Sequence, residues 1–317
     1  MELVILDDFA MKEGDLDWSE IYLLADSVNR YGYLPRDRQL EVVQNADFLI
    51  MNKTKVDAEL INAAPNLKYV GVIATGTDNI DLDACRAKGI SVANVPSYST
   101  YSVAQLTFAL MLELCQSPAE FYASVKDGVW RTNIDPAYGV CTQKELLGKT
   151  LGLLGYGNIG KAVSRIASAF GMEVLVSTRT PRQNTEIARF VGFDEMLRKS
   201  DIISLHCPAN AHTNNIINEE SLGKMKDGTI LINTARGSLI DENAVENALN
   251  NGKLGGFGAD VLRVEPMEEN SPFKATKHTI ITPHIAWATN EALLRLTQVV
   301  TENLKAFING KPQNIVN

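Results

Sequence analysis

Gly155-Tyr156-Gly157-Asn158-Ile159-Gly160 stands directly after the apolar run Thr150-Leu151-Gly152-Leu153-Leu154. It opens a stretch in which Ile159, Val163, Ile166, Ala167 and Phe170 recur at helical spacing. Gly171 then offers a stop, and residues 173–177 resume as a β-branched run. Strand, glycine turn, helix and second strand make a complete βαβ unit. In such a unit the three glycines have separate tasks: Gly155 makes the tight turn, Gly157 lets the backbone approach a pyrophosphate, and Gly160 lets the helix pack closely on its strand. The anion then sits on the N–H groups and positive dipole end of the helix that begins at Asn158 and Ile159.

Working outward, two sets of alternating strands and helices can be read. The first has apolar strands at 3–6, 48–51, 69–73 and 91–94, separated by helix-like stretches such as 38–45 and 81–88. The second runs through strands at 151–154, 174–177, 202–205, 230–233, 256–260 and 280–282. Six strands with intervening helices predict a doubly wound parallel sheet. Residues 102–115, free of Gly and Pro, read as a long buried helix, and 290–308 as a second one with an apolar face. That last helix is expected to return the chain to the first set. The predicted domains are therefore 1–100 with 288–317, and 101–287. Ligands are expected at the carboxyl ends of the strands.

At 317 residues the chain is long enough for two domains. A net charge of −8 with no Lys/Arg cluster argues against nucleic acid. No stretch approaches a membrane span, and the start Met1-Glu2-Leu3-Val4-Ile5-Leu6-Asp7-Asp8 reads as a strand entering an acidic loop, not as a leader. Cys85, Cys115, Cys141 and Cys207 are scattered and form no C-x-x-C pair, which predicts reduced thiols, a cytoplasmic setting and no metal site.

An NAD-type fingerprint ends its second strand in Asp or Glu about 20 residues past the glycines, to accept from the ribose hydroxyls. Here the residues are Val176-Ser177-Thr178-Arg179-Thr180. Hydroxyls and the Arg179 cation in place of a carboxylate favour NADP over NAD, with Arg182 as a second cation.

Only four histidines compete for acid/base work. His212 and His278 fall in polar loops, and His206 ends a strand as a structural or cofactor-side imidazole. His284 follows Thr282-Pro283 at the end of the last strand, and Pro283 fixes the turn that aims it. A carboxylate partner would hold and favour its charged form, and Glu265, in Val264-Glu265-Pro266 past another strand, is the best placed. In Ile232-Asn233-Thr234-Ala235-Arg236-Gly237-Ser238 a third strand runs into Arg236, whose fork suits a carboxylate or carbonyl oxygen. The small-residue turn Ile73-Ala74-Thr75-Gly76-Thr77-Asp78 offers backbone N–H groups to a carboxylate. The set suits a small 2-keto or 2-hydroxy acid.

With these motifs, and with Gly258-Ala259-Asp260-Val261 and Pro283-His284-Ile285-Ala286-Trp287-Ala288-Thr289, the chain resembles the D-isomer-specific 2-hydroxyacid dehydrogenases over nearly its whole length. The segments 95–100 and 102–105, together with Trp287, look most like the glycerate dehydrogenases, also described as hydroxypyruvate reductases. The resemblance implies a Rossmann nucleotide-binding domain inserted in a smaller flavodoxin-like α/β substrate domain, and a homodimer with 102–115 at its interface. It implies catalytic roles for Arg236, Glu265 and His284, and a role for Asp260 in holding the nicotinamide carboxamide. The implied cofactor surface takes in Gly155, Gly157, Asn158, Ile159, Gly160, Thr178, Arg179, Cys207, Thr213, Thr234, Ala235 and Asp260. The implied substrate site takes in Ala74, Thr75, Gly76, Tyr98, Arg236 and Trp287. The chain departs from the resemblance at Gln105, where many members have Glu, and at Thr178-Arg179. A simple metabolic reductase is expected, without the C-terminal regulatory extension of many phosphoglycerate dehydrogenases. The alternatives on this architecture are an NAD(H)-sensing corepressor, or an enzyme acting on formate, which the Arg-Glu-His set disfavours.

Overall fold

The computed structural model describes residues 1–7, 18–132, 142–180 and 182–317, without the side chains of 131 and 132; Cys141 lies outside the described residues. The chain divides into two compact units, Met1–Ser99 with Ala288–Asn317, and Thr100–Trp287. Among the described residues no helix is long and apolar enough to cross a membrane.

The first unit carries five strands, β1 (Glu2–Leu6), β2 (Ser27–Tyr31), β3 (Phe48–Met51), β4 (Tyr69–Val72) and β5 (Ser91–Ala93). They pair throughout in parallel, in the order β2-β1-β3-β4-β5. That is the flavodoxin-like doubly wound order. Strands covered on both faces must be apolar at every position, and β3 and β4 are buried at all four of theirs. The sequence reading finds four of these strands and misses β2. Its Ser-Val-Asn-Arg-Tyr sits at the sheet edge with two residues exposed, so it lacks the apolar run that marks an interior strand. Helix Asn290–Ile308 belongs to this unit and packs Phe307 against Tyr69 of β4 with ring centroids 4.9 Å apart. The opposite edge strand is covered by the segment around residue 315. Ala93 bridges Ile315, and the Asn317 side chain accepts from Val92 N and donates to Ile90 O.

The second unit carries β6 (Thr150–Leu154), β7 (Glu173–Ser177), β8 (Arg189–Phe190), β9 (Ile202–Leu205), β10 (Thr229–Asn233), β11 (Leu254–Ala259) and β12 (Thr279–Ile281). Their order is β12-β11-β10-β9-β6-β7-β8, again all parallel. Counted from β8, this is the Rossmann sequence 3-2-1-4-5-6 extended by one strand, with the topological switch between β6 and β9. The sheet has seven strands where the sequence reading predicts six. The seventh, β8, is two residues long, below what any periodicity detects.

Side-chain alternation divides this sheet between two cores. Leu151, Leu153, Val174, Val176, Ile202, Ile230 and Ile232 face helices Thr100–Gln116 and Asn158–Ala169. Leu154, Leu175, Ile203, Leu205, Leu231 and Phe257 face the other layer, with Met196, Leu222, Val245 and Ala248 from the helices there. Helix Thr100–Gln116 lies against β10 and β11, and its Phe108 stacks on Phe170 at 5.5 Å. It belongs wholly to this unit, since the chain passes from the first unit to the second between Ser99 and Thr100.

Phe257 in β11 is fully buried and its ring lies 4.9 Å from that of Phe273. Replacing it by Ala leaves a cavity under the strand that leads to Asp260, and Phe257→Ala is expected to cost about 3–5 kcal/mol of stability. Denaturant unfolding followed by circular dichroism measures this, and a loss below about 1 kcal/mol would show that the residue is not the packing centre described.

Candidate active site

The glycine turn joins β6 to helix Asn158–Ala169. Gly155 has φ +101°, and a Cβ there would lie 2.5 Å from the carbonyl oxygen of His206. Only glycine permits both the conformation and the contact. Gly155 N donates to Ser177 O at 2.9 Å, and His206 N to Leu154 O at 2.8 Å, so the turn is wedged between the ends of β7 and β9. Gly157, in contrast, has nothing within 4 Å of where a Cβ would be, and no side chain caps the helix it precedes. An open approach to an uncapped helix start is what a pyrophosphate requires, so these residues fit a dinucleotide.

Around the turn, Thr178 Oγ1 donates to Thr180 O at 2.7 Å, while Arg179 and Arg182 are exposed. Thr213 Oγ1 accepts from Asn210 N and donates to Pro208 O, closing the loop after Cys207. Burial pushes the Cys207 thiol up to about 11. Burial also pushes the His206 imidazole down to about 4, and its Nε2 lies 2.9 Å from Ser204 Oγ. His206 is therefore a neutral, bonded side chain, which agrees with its structural reading. His212 and His278 lie in turns, as read from the sequence.

Three loops at the carboxyl ends of β10, β11 and β12 meet. In the first, the buried Asn233 folds the chain on itself: its Nδ2 donates to Arg236 O at 2.9 Å and its Oδ1 accepts from Ala235 N at 3.1 Å. Thr234 is buried and Arg236 is half-buried, with Nη1 donating to Ala235 O at 2.9 Å. A Cβ on Gly237 would fall 1.9 Å from the carbonyl carbon of Leu262. That absence of a side chain lets the arginine loop touch the loop after β11.

In this second loop Glu265 Oε1 accepts from Leu262 N at 3.0 Å, which aims Oε2 at Nδ1 of His284, 2.6 Å away. His284 is 31% exposed and Glu265 33%, so the pair is reachable from solvent. With Nδ1 committed to a carboxylate, Nε2 is the ring nitrogen left for a reacting partner.

The third loop carries His284 at φ +56°, a region sparsely populated outside glycine. What holds it there is Asp260. This carboxylate is 1% exposed and accepts from Thr282 Oγ1 at 2.5 Å, Ile285 N at 2.9 Å and Ala286 N at 2.8 Å. Trp287 Nε1 donates to His284 O at 2.8 Å and closes the turn. The sequence marks Asp260 for the cofactor alone. Its grip on the histidine loop, and the parts of Asn233 and Thr282, are not legible there, because each depends on a partner brought up by folding.

Arg236, Glu265, His284, Asp260 and Trp287 all belong to the second unit; Ala74, Thr75, Gly76 and Tyr98 belong to the first. There the turn after β4 is fixed by Val95 N donating to Ala74 O at 2.9 Å, Thr75 Oγ1 to Val95 O at 2.6 Å and Asn94 Nδ2 to Thr75 O at 2.7 Å. Tyr98 is buried, and its carbonyl accepts from Arg295 Nε at 2.9 Å.

Comparison with known proteins agrees with this geometry. Residues 108–286 match the family model of the D-isomer specific 2-hydroxyacid dehydrogenase, NAD binding domain. The chain is 40% identical over 321 residues to a hydroxypyruvate reductase of Blautia hydrogenotrophica, with all of both chains covered. It is 38% identical to a glycerate dehydrogenase of Methylorubrum extorquens, over 87% of each chain. Among solved structures, the TT0316 protein from Thermus thermophilus superposes with a TM-score of 0.90 at 35% identity, covering both chains fully. A strand-end constellation of Arg, Glu and His in the unit that carries the Rossmann glycine turn, in a chain that matches the hydroxypyruvate reductase over its whole length, places it: the protein belongs to the D-isomer-specific 2-hydroxyacid dehydrogenase family.

Proposed function

We propose that this oxidoreductase reduces a small 2-keto acid, hydroxypyruvate or glyoxylate, to the D-2-hydroxy acid, with NADPH preferred to NADH. The observation that carries this reading is the 2.6 Å contact between His284 Nδ1 and Glu265 Oε2, at the end of a loop fixed by a buried carboxylate. In this reading the second unit holds the cofactor, Arg236 takes the substrate carboxylate, and Ala74, Thr75, Gly76, Tyr98 and Trp287 are further substrate-binding residues. The pyrophosphate lies at Gly155–Gly160, with Cys207, Thr213, Thr234, Ala235 and Asp260 along the rest of the cofactor.

A reduced nicotinamide held by the second unit would supply the hydride for C2 of the keto acid. His284 Nε2 gives its proton to the C2 oxygen as negative charge develops there, and in the reverse direction the neutral ring takes it back. Glu265 complements the positive charge of the donor form and fixes the ring through Nδ1. Arg236 holds the acid so that the carbonyl stays within reach, which turns a collision into a positioned step.

The preference for the phosphorylated cofactor is supported at the end of β7. Ser177 O is bonded to Gly155 N, so Thr178 and Arg179 stand beside the glycine turn. No carboxylate occurs from 178 to 180 to repel a 2′-phosphate. The hydroxyl of Thr178 is turned onto Thr180 O, which leaves Arg179 as the main recognition group, with the exposed Arg182 three residues on.

A cytoplasmic homodimer is the assembly we infer. The stretch 102–115 expected at its interface buries eight residues within the second unit and leaves Gln105 and Ala109 exposed. Exposed apolar surface lies further on: helix Pro118–Lys126 buries no residue, and Tyr122, Val125, Val129 and Trp130 are exposed. Light scattering coupled to size exclusion is expected to give the mass of two chains, and a single-chain mass at micromolar concentration would refute the dimer.

Turnover is read as loss of reduced-cofactor absorbance across a panel of hydroxypyruvate, glyoxylate and bulkier keto acids. No turnover with any of them would favour a cofactor-sensing role. His284→Ala is expected to lower kcat by about two to four orders of magnitude, and near-normal turnover would remove it as proton donor. Arg179→Ala is expected to lower kcat/KM with NADPH by about ten- to a hundredfold while leaving NADH nearly unchanged, the usual worth of charge-assisted bonds. Equal or better efficiency of the unaltered enzyme with NADH would refute the NADPH preference.

A further inference from the structure

Helix Thr100–Gln116 packs Ala104, Leu110 and Met111 into the core under the sheet, yet it also buries two hydroxyls, Ser102 and Thr107. Buried polar groups in apolar surroundings persist where they are bonded, and the identity of the partner shows what the bond holds. Ser102 Oγ donates to the carbonyl of Ala286, in the loop that carries His284. Thr107 Oγ1 lies 3.0 Å from Thr234 Oγ1, two residues before Arg236. Since Thr107 also donates to Val103 O at 2.8 Å, its proton is committed and Thr234 is the donor between them.

We propose that Ser102 and Thr107 are positioning residues for the reaction, which lock the proton-donor loop and the arginine loop to one rigid helix. The proposal rests on the reading of His284 as proton donor. Ala286 shows why a lock is needed. Its peptide is buried and outside any strand ladder, so its N–H and C=O are satisfied by side chains, Asp260 Oδ2 on one side and Ser102 Oγ on the other. Asp260 pins the loop to its own sheet, whereas Ser102 pins it to the helix layer above. With one anchor the loop can pivot; with two, the left-handed turn at His284 has a single orientation. Thr107 does the same for the arginine loop, which Asn233 shapes internally but does not tie to the helix.

The test compares four single variants by kcat, KM and thermal midpoint. Ser102→Ala is expected to lower kcat about ten- to a hundredfold at nearly constant KM, the scale on which small misplacements act. It should also displace the acid–base limbs of the kcat profile against pH, and Ser102→Thr should restore both. Thr107→Val is expected to raise KM for the keto acid about tenfold, because it acts on the arginine loop. Thr297→Val, which removes a buried hydroxyl bonded within helix Asn290–Ile308, should lower the thermal midpoint and leave kcat unchanged.

Combining Ser102→Ala with His284→Ala separates this inference from the reading beneath it. If Ser102 acts through His284, the pair falls no further than His284→Ala alone. Wild-type kcat in Ser102→Ala, or an equal further loss in the His284→Ala background, overturns the positioning role while the proton-donor assignment stands. Full turnover in His284→Ala overturns both.

Discussion

The buried carboxylate of Asp260 is the constraint on which the geometry of the strand-end loops depends. A charge that is 1% exposed is costly unless it is fully bonded, and here the bonding partners are the backbone and hydroxyl of one loop. The loop cannot relax without leaving these carboxylate oxygens unbonded in the interior. Left-handed His284 is the result: a conformation unfavourable in isolation, kept because its neighbours Ile285 and Ala286 are bonded to Asp260. Glu265 can then meet Nδ1 in a fixed direction.

Close backbone approaches serve the same end. At Gly237 a methyl group would overlap the Leu262 carbonyl, and at Gly155 it would overlap that of His206. These two contacts join the loop after β10 to the loop after β11, and the fingerprint turn to the end of β9. The chemistry-bearing side chains are therefore carried on loops, but the loops are braced against each other by main chain, and the sheet beneath fixes their spacing.

Much of this is legible in the amino-acid sequence because the rules involved are local. An interior parallel strand must be apolar throughout, so β1, β3, β4, β6, β7, β9 and β10 stand out, and polar residues immediately after them mark loops. Arg236 is found that way after β10, and Glu265 and His284 after the runs read at 256–260 and 280–282, which form β11 and β12. The edge strands β2 and β8 are not, because an edge has one neighbour and tolerates polar residues. Ser102 and Thr107 cannot be read for a different reason. A hydroxyl on an apolar helix face looks like any small residue until its partner is known, and those partners lie 184 and 127 residues further along the chain.

The first unit is assembled from both ends of the sequence: its sheet comes from the opening 99 residues, while the helix over β4 and the segment along β5 come from residues 288–317. A chain emerging from the ribosome thus delivers the whole Rossmann unit before the pieces that cover this sheet. Until then one face of β4 and the outer edge of β5 are bare. The order of synthesis completes the nucleotide-binding unit first and leaves its companion the half that waits, open to chaperones or to unwanted strand pairing, for the closing stretch 288–317.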